Sequence, residues 1–239
     1  MAAPIRGATT RQTPARSFGA KMKQQILIQL AEWIRATAGE RGLLVPVSGG
    51  TDSALCFWLC QQALPAKAVA VHFGETLRGH AWFESLGPIE TIPLPPEQEE
   101  KELTRWALLL SLSTRRRVWL VGSRNRTEDV FGTFSLASRV ATYYPIVSLW
   151  KSEVLDLCGL IGVPEEIIAS SHQADPLCGR TELMAEIGVE RIDRFLKVKE
   201  GELPADELTI LPADHLRYLD ETYQRGQYKR NLPIRAPRF

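Results

Sequence analysis

The chain is short of the features that mark secreted, membrane-spanning or strongly charged proteins. It has four cysteines in 239 residues, and none forms a CxxC pair or has structural zinc spacing. This excludes a disulfide framework and favours a reducing cytoplasm. No apolar run approaches the length of about 20 residues that spans a bilayer, so we expect no membrane partner. The 29 basic and 28 acidic residues nearly cancel, which gives no reason to expect a nucleic-acid partner.

The first 20 residues also lack acidic side chains, while they contain several arginines and threonines. This composition predicts a disordered tail over residues 1–20, with a transit peptide as the alternative. The remaining length, residues 21–239, is ordinary for one large α/β domain. We therefore expect a single domain there.

Apolar runs and amphipathic stretches alternate along the chain. Residues 43–47, 68–73 and 118–121 are typical of buried parallel strands, and residues 86–94 hold a weaker candidate. Helical spacing of apolar residues predicts helices at residues 22–37, 54–63, 97–113, 151–161, 164–169, 189–195 and 213–227. The alternation predicts an α/β fold, a doubly wound parallel sheet with helices on both faces. In such folds ligands bind beyond the carboxyl ends of the strands.

A glycine-containing loop follows the first predicted strand and leads into a predicted helix. Gly49 and Gly50 allow backbone N–H groups to approach an anion closely, and Ser48 and Ser53 add hydroxyl donors. The positive end of the following helix faces the same place. The loop is not of the Walker type, because no Gly-Lys-Ser/Thr follows. It predicts a phosphate-binding loop, with an ordinary capped glycine turn as the alternative.

An acidic residue, Asp52, lies inside this predicted phosphate cradle. A carboxylate would repel a phosphate unless a cation lay between them. The position therefore predicts a Mg²⁺ ligand, because Mg²⁺ bound to phosphates in proteins is held by one or two carboxylates.

The hexapeptide Ser-Gly-Gly-Thr-Asp-Ser resembles the pyrophosphate loop of the N-type ATP pyrophosphatases. The resemblance implies that ATP is cleaved between its α and β phosphates, that an acid becomes an adenylate, and that a nucleophile then displaces AMP. On this resemblance the predicted ATP-binding residues of the loop are Ser48, Gly49, Gly50, Thr51, Asp52 and Ser53.

Later segments resemble one branch of that group, the ammonia-dependent NAD synthetases. Residues 121–128 are similar to the motif after the fourth strand of that family, and Glu128 matches its second metal-binding acid. Residues 144–154 resemble its P-L-x-x-L-x-K-T/S-E-V, in which Lys151 matches the lysine that contacts the ATP phosphates. Further matches occur, in order, at residues 160–168, 179–182 and 228–233.

This resemblance implies the reaction and its components. ATP and Mg²⁺ would be required, with Asp52 and Glu128 as metal ligands and Asp52 and Lys151 as catalytic residues. Gln173, which replaces the threonine of a T-A-D motif, would contact ATP. The chain would act as a homodimer on a small-molecule acid and ammonia. It is too short to carry a glutaminase domain, so ammonia would be free or come from a separate donor protein.

The sequence departs from the family pattern where the family binds nicotinic acid adenine dinucleotide. Residues 136–143 contain no acidic residue, whereas the family has an aspartate-rich stretch there. Glu99 and Leu103 occupy the positions of a family asparagine and a family arginine. We therefore predict weak or absent activity with that dinucleotide. The candidate acceptor-binding residues are Arg105, Arg139, Glu182, Tyr228 and Lys229.

Three alternatives remain open at this point. The chain could adenylate a different acid, or act as a pyrophosphate-loop sulfur transferase with Cys178 as thiol donor or carrier, in which a separate protein could supply the sulfur. It could also bind ATP without turnover, although the retention of Asp52, Glu128 and Lys151 argues against a nucleotide sensor.

Overall fold

The computed structural model describes residues 19–94, 101–175 and 179–232. Most of the predicted tail, together with Glu99 and Cys178, lies outside these residues. Within the described ranges, no helix combines the length and the apolar character needed to cross a membrane.

The centre of the molecule is a four-stranded parallel sheet. Its strands are β1 (Leu43–Pro46), β2 (Ala68–Phe73), β3 (Ile89–Ile92) and β4 (Trp119–Leu120), in the spatial order β3-β2-β1-β4. Leu43 pairs with Ala68 of β2 on one side and with Trp119 of β4 on the other. The chain order reverses between β1 and β4, so the carboxyl ends of these two strands flank a crevice, the usual ligand position in such sheets.

Helices surround the sheet. They are α1 (Ala20–Ala38), α2 (Thr51–Ala63), α3 (His80–Leu86), α4 (Lys101–Arg116), α5 (Arg126–Phe131), α6 (Lys151–Leu160), α7 (Glu165–Ala169), α8 (Glu182–Ile187), α9 (Val189–Lys199) and α10 (Ala213–Gly226). Short 3₁₀ turns occur at Leu136–Val140, Ser170–His172, Ala205–Leu208 and Gln227–Asn231.

The two faces of the sheet pack against different helices. Leu43 and Val45 belong to a large buried cluster that includes residues of α1, α2 and α6. Leu44 points to the other face and joins Val71 and Leu109 of α4 in a separate cluster. Because successive strand residues alternate between faces, an uninterrupted apolar strand requires cover on both sides. The predicted doubly wound α/β fold is therefore confirmed.

A further buried cluster lies among helices that follow β4. It is built from residues of α5, α8, α9 and α10, with Phe131, Phe195 and Leu219 among its most buried members. This cluster holds α5 in place at the carboxyl end of β4. The position of α5 matters because Glu128 lies in its first turn.

Several element boundaries differ from the sequence predictions. Helix α2 begins at Thr51 rather than at residue 54, so half of the predicted loop is the first helical turn. Strand β3 is shorter than the predicted 86–94, and α3 was not predicted because its seven residues give too little periodic signal. Helix α9 extends to Lys199, four residues beyond the predicted end.

Candidate functional site

The glycine loop has the backbone that an anion-binding turn needs. Gly49 has a φ of +78°, and a Cβ placed on it would lie 2.9 Å from the Cβ of Arg78, so only glycine fits there. Gly50 is the residue that precedes α2, and its extended conformation starts the helix without a side-chain cap. The first-turn N–H groups of α2 therefore face the crevice, as expected for a phosphate-binding helix end.

Thr51 connects the loop to two other elements. It is fully buried, and its hydroxyl lies 2.8 Å from the Ser171 hydroxyl and accepts a hydrogen bond from Lys151 Nζ at 2.8 Å. Lys151 is itself 7% exposed and forms an ion pair with Asp52. Thr51 thus sets the position of the ammonium group rather than presenting a free hydroxyl to solvent.

Asp52 is held at the crevice by a second partner. Asn125 Nδ2 donates to Asp52 Oδ1 at 2.9 Å, and the Asn125 side chain also accepts from the Glu128 N–H at 2.9 Å as the cap of α5. In return, the Asn125 N–H donates to Glu128 Oε2 at 3.3 Å. This capping box brings the two predicted metal-binding acids together from α2 and α5.

Asp52 is close enough to affect the ionisation of Glu128. Burial, followed by the negative charge of Asp52, raises the pKa of Glu128 to about 7, and Lys151 opposes this rise. Two carboxylates at one site repel each other, and a cation between them would remove that cost. No group of three or more metal-ligating side chains occurs in the part of the chain that the structure describes. The pair therefore fits a cation that takes its other ligands from phosphate and water, as Mg²⁺ does.

The backbone that carries Lys151 is fixed by a buried carboxylate. Asp193, 2% exposed on α9, accepts from the Thr127 hydroxyl and from the Ser152 N–H, the latter at 2.7 Å. The Thr127 oxygen in turn accepts from the Lys151 N–H at 2.8 Å. These bonds satisfy the first N–H groups of α6, which allows a lysine to open that helix against its dipole.

These groups line a cleft of about 310 Å³ at the carboxyl end of the sheet. An adjoining cavity of about 380 Å³ lies beside β1, β2 and α4, and shares Ser48 and Arg105 with the cleft. Its apolar walls come from Val71, Phe73, Trp106 and Leu109. The two spaces together offer a polar, charged end and an apolar end next to the same loop.

The predicted site residues differ in whether they line the cleft. Those that line the cleft are Ser48, Gly50, Thr51, Asp52, Ser53, Arg105, Glu128 and Lys151. Gly49 is buried beneath the loop. Gln173, Glu182 and Tyr228 are exposed and do not line the cleft; Gln173 contributes its carbonyl to Arg180 Nη1 at 3.1 Å.

Comparisons with known proteins show which family the chain belongs to. The family model for NAD synthase matches residues 96–233, which is more than half of the chain. The chain belongs to the NAD synthase family. It is thus an ATP-dependent carbon–nitrogen ligase. It is 26% identical to an NH(3)-dependent NAD(+) synthetase of Thermococcus sibiricus over 88% of this chain and 96% of the relative.

Solved structures show the same fold. The NH3-dependent NAD synthetase from Campylobacter jejuni superposes with a TM-score of 0.70 at 20% identity, covering 90% of this chain and 99% of the other. The NMN synthetase from Francisella tularensis gives a TM-score of 0.72 at 20% identity, covering 93% and 100%.

Two of the predicted acceptor-binding residues, Arg139 and Lys229, donate to backbone carbonyls. Arg139, a predicted acceptor residue, donates to the carbonyls of Lys229 and Leu232 at 2.8 and 3.1 Å. Lys229 Nζ donates to the Phe134 carbonyl at 2.6 Å, and burial lowers the pKa of this lysine. Both cations tie the C-terminal segment to the rim of the cleft and neither lines it.

Another cation, Arg124, does line the cleft but is also engaged. It donates to Asp129 at 3.2 Å and to the Ser138 hydroxyl at 3.1 Å, and it lies 3.4 Å above the Phe134 ring centre. The acid-free stretch before Pro145 is therefore organised around a partly buried arginine.

Sequence reasoning missed several residues that shape this NAD synthase-family site. Asn125 bridges the two acids, Asp193 and Thr127 fix Lys151, and Ser171 supports Thr51. Asn125 did carry a signal, since Asn followed three residues later by Glu is a helix-start pattern. The others act through contacts between residues far apart in sequence.

Proposed function

We propose that the chain adenylates the carboxylate of a pyridine nucleotide with ATP and that ammonia then displaces AMP to give the amide. A carboxylate oxygen of the acceptor attacks the α-phosphorus, the bond to the bridging oxygen breaks, and pyrophosphate leaves with the electron pair. Ammonia next attacks the acyl carbon, AMP leaves with the acyl–oxygen electron pair, and the nitrogen releases one proton to solvent to give the neutral amide. The observation that carries the proposal is the joining of Asp52, Asn125, Glu128 and Lys151 at the phosphate loop.

Asp52 and Glu128 would hold Mg²⁺, which supplies charge neutralisation and orientation of the phosphates when it is bound. Lys151 is paired with Asp52. We expect its ammonium group to transfer to a phosphate oxygen when the nucleotide is present. The Thr51 hydroxyl, 2.8 Å from Nζ, keeps the lysine in reach of the loop during that exchange.

The adjoining cavity fits the adenosine end of ATP. Its walls from Val71, Phe73, Trp106 and Leu109 are apolar, and it opens beside Ser48 of the phosphate loop. A purine is a flat apolar ring system with polar edges, so burial between such side chains is favourable. This leaves the cleft beside Arg105 and Arg124 for the acceptor.

A homodimer is part of the proposal. Leu103, Leu108 and Leu110 of α4 are exposed to 54%, 36% and 43%, an unusual concentration of leucine on one surface helix. Helix α4 also carries Arg105 at the edge of the cleft. A second copy against α4 would cover this surface next to the acceptor end.

The remaining alternatives stay predictions. The hypothesis that the chain adenylates a different acid concerns the same cleft. The sulfur-transfer hypothesis depends on Cys178, which is outside the described residues. Cys56, Cys60 and Cys158 are buried, and burial raises their thiol pKa values, so they are poor thiolate carriers.

The test is a product assay with Mg-ATP, ammonia and either nicotinic acid adenine dinucleotide or the corresponding mononucleotide. We expect AMP and pyrophosphate, released in step with one amide product. ADP and phosphate as products would overturn the adenylation chemistry, and AMP release without any need for ammonia would overturn the choice of nucleophile.

A further inference from the structure

The segment between β2 and α3 crosses directly over the phosphate loop. A Cβ built on Gly49 would lie 2.9 Å from the Cβ of Arg78, 3.1 Å from its backbone nitrogen and 3.2 Å from its carbonyl oxygen. The backbone and the Cβ of Arg78 therefore pack against Gly49. Arg78 also lines the cleft, together with Ser48, Asp52 and Lys151.

The backbone of this segment is anchored on both sides of Arg78. Leu77 is 5% exposed and belongs to the main buried cluster. Gly79 has a φ of +67°, and a Cβ on it would lie 2.4 Å from Ile167 Cδ1, so the chain presses closely on α7 there. The Arg78 side chain, by contrast, is exposed and has no hydrogen bond or ion pair with any described residue. A fixed backbone thus presents, beside the loop, a guanidinium that has no partner in the described part of the chain.

Most other cations of the described cleft are already engaged. Lys151 is paired with Asp52, and Arg124 with Asp129. Arg180 donates to the carbonyls of Ser170 and Gln173. Arg105 also has no partner among the described residues, but it lies on α4 and lines both the cleft and the apolar cavity. Of these two arginines, Arg78 is the one whose backbone packs against the loop glycine.

We propose that Arg78 binds the β and γ phosphates of ATP and stabilises pyrophosphate as the leaving group. When the bond between the α-phosphorus and the bridging oxygen breaks, the electron pair moves onto the pyrophosphate, which gains negative charge. Guanidinium binds two phosphate oxygens at once in a fixed geometry. A cation placed where charge develops lowers the barrier of the transfer. This inference rests on the adenylation step of the proposed function and is independent of the acceptor.

Equilibrium binding of pyrophosphate and of AMP, each with Mg²⁺, tests the inference by titration calorimetry. Arg78→Gln removes the charge, Arg78→Lys keeps it without the planar fork, and Arg115→Gln is the matched control. Arg115 is exposed at the end of α4 and has no partner among described residues. Thermal melting of each variant establishes that it is folded.

We expect Arg78→Gln to weaken pyrophosphate binding by about tenfold or more, with AMP binding changed less than about twofold. Arg78→Lys should fall between Arg78→Gln and the wild type, and Arg115→Gln should match the wild type. Unchanged pyrophosphate binding in Arg78→Gln, or an equal loss for AMP, would refute the role. Binding of pyrophosphate or AMP requires neither an acceptor nor ammonia. Failure to form an amide would therefore count against the proposed function, while the binding measurements would still test the role of Arg78.

Discussion

The proposed nucleotide end and the proposed acceptor end of the cleft use charged residues in opposite ways. At the nucleotide end, Asp52, Glu128 and Lys151 come from three helices and meet each other across the site. At the acceptor end, Arg139 and Lys229 bind backbone carbonyls of the rim and of the C-terminal segment. The comparison shows that cations in family-like motifs can have different kinds of partner, a carboxylate for Lys151 and backbone carbonyls for Arg139 and Lys229.

The largest effect should come from the acids of the nucleotide end. Asp52→Asn removes the charge that pairs with Lys151 and would hold the cation, so we expect AMP release to fall by about 100-fold or more. Glu128→Gln should cause nearly the same loss. The matched control is Asp214→Asn, an exposed acid of α10 that has no partner among described residues. Full activity in Asp52→Asn would make that acid structural.

The acceptor end sets the next prediction. Arg139 and Lys229 are used by the fold, and Leu103 is exposed instead of lining the cleft. Few groups then remain to pair with the phosphates of a dinucleotide, and missing polar contacts reduce discrimination strongly. We expect kcat/KM for nicotinic acid adenine dinucleotide below about 10⁴ M⁻¹s⁻¹ at saturating Mg-ATP and ammonia. A higher value would show that the altered end still recognises the dinucleotide.

The pH dependence of cation binding sharpens the comparison at Glu128. Its pKa of about 7 means that the carboxyl is neutral below pH 7 and charged above it. Because a neutral carboxyl is a poor Mg²⁺ ligand, Mg²⁺-dependent ATP binding should weaken from pH 8 to pH 6, by up to about tenfold per unit below the pKa. Glu128→Gln, measured in the same buffers, is the control. Protonation of the nucleotide affects both proteins equally, so only the difference between them reports on Glu128. An identical pH profile in both proteins would contradict the prediction.

The dimer prediction addresses the surface next to the acceptor end. Light scattering should give a mass near twice 26.8 kDa for the wild type. Replacing Leu103 and Leu110 together by glutamate should shift the mass towards that of one chain, because charges oppose burial of this face. A wild-type mass near 26.8 kDa would exclude the dimer under those conditions.

The smallest effect should come from Lys229. Lys229→Met removes the 2.6 Å hydrogen bond to the Phe134 carbonyl, at a cost of about 1–3 kcal/mol in unfolding free energy. ATP affinity should stay within about twofold, since the residue does not line the cleft. Lys21→Met, at an exposed lysine without a described partner, is the control in denaturant unfolding. Lost ATP binding with unchanged stability would place Lys229 in the site instead.

Local sequence patterns determined the sheet and the phosphate loop. Apolar runs such as residues 43–47 must be covered on both faces, and a glycine turn between a strand and a helix leaves N–H groups free for an anion. The spacing of apolar residues and the residue types of a turn depend only on neighbours in sequence, so the fold class was predictable. The start of α2 at Thr51 was missed because Thr and Asp suit both a loop and a helical first turn.

Only the tertiary structure decided what each charged side chain does. Lys151 and Asp52 are far apart in sequence and become partners when α6 packs on α2, while Asp193 reaches α6 from α9. The same packing commits Lys229 to a carbonyl and places Arg78 over Gly49 without a partner among the described residues. A side chain's charge is written in the sequence, but its partners, burial and pKa depend on distances that folding sets between distant segments.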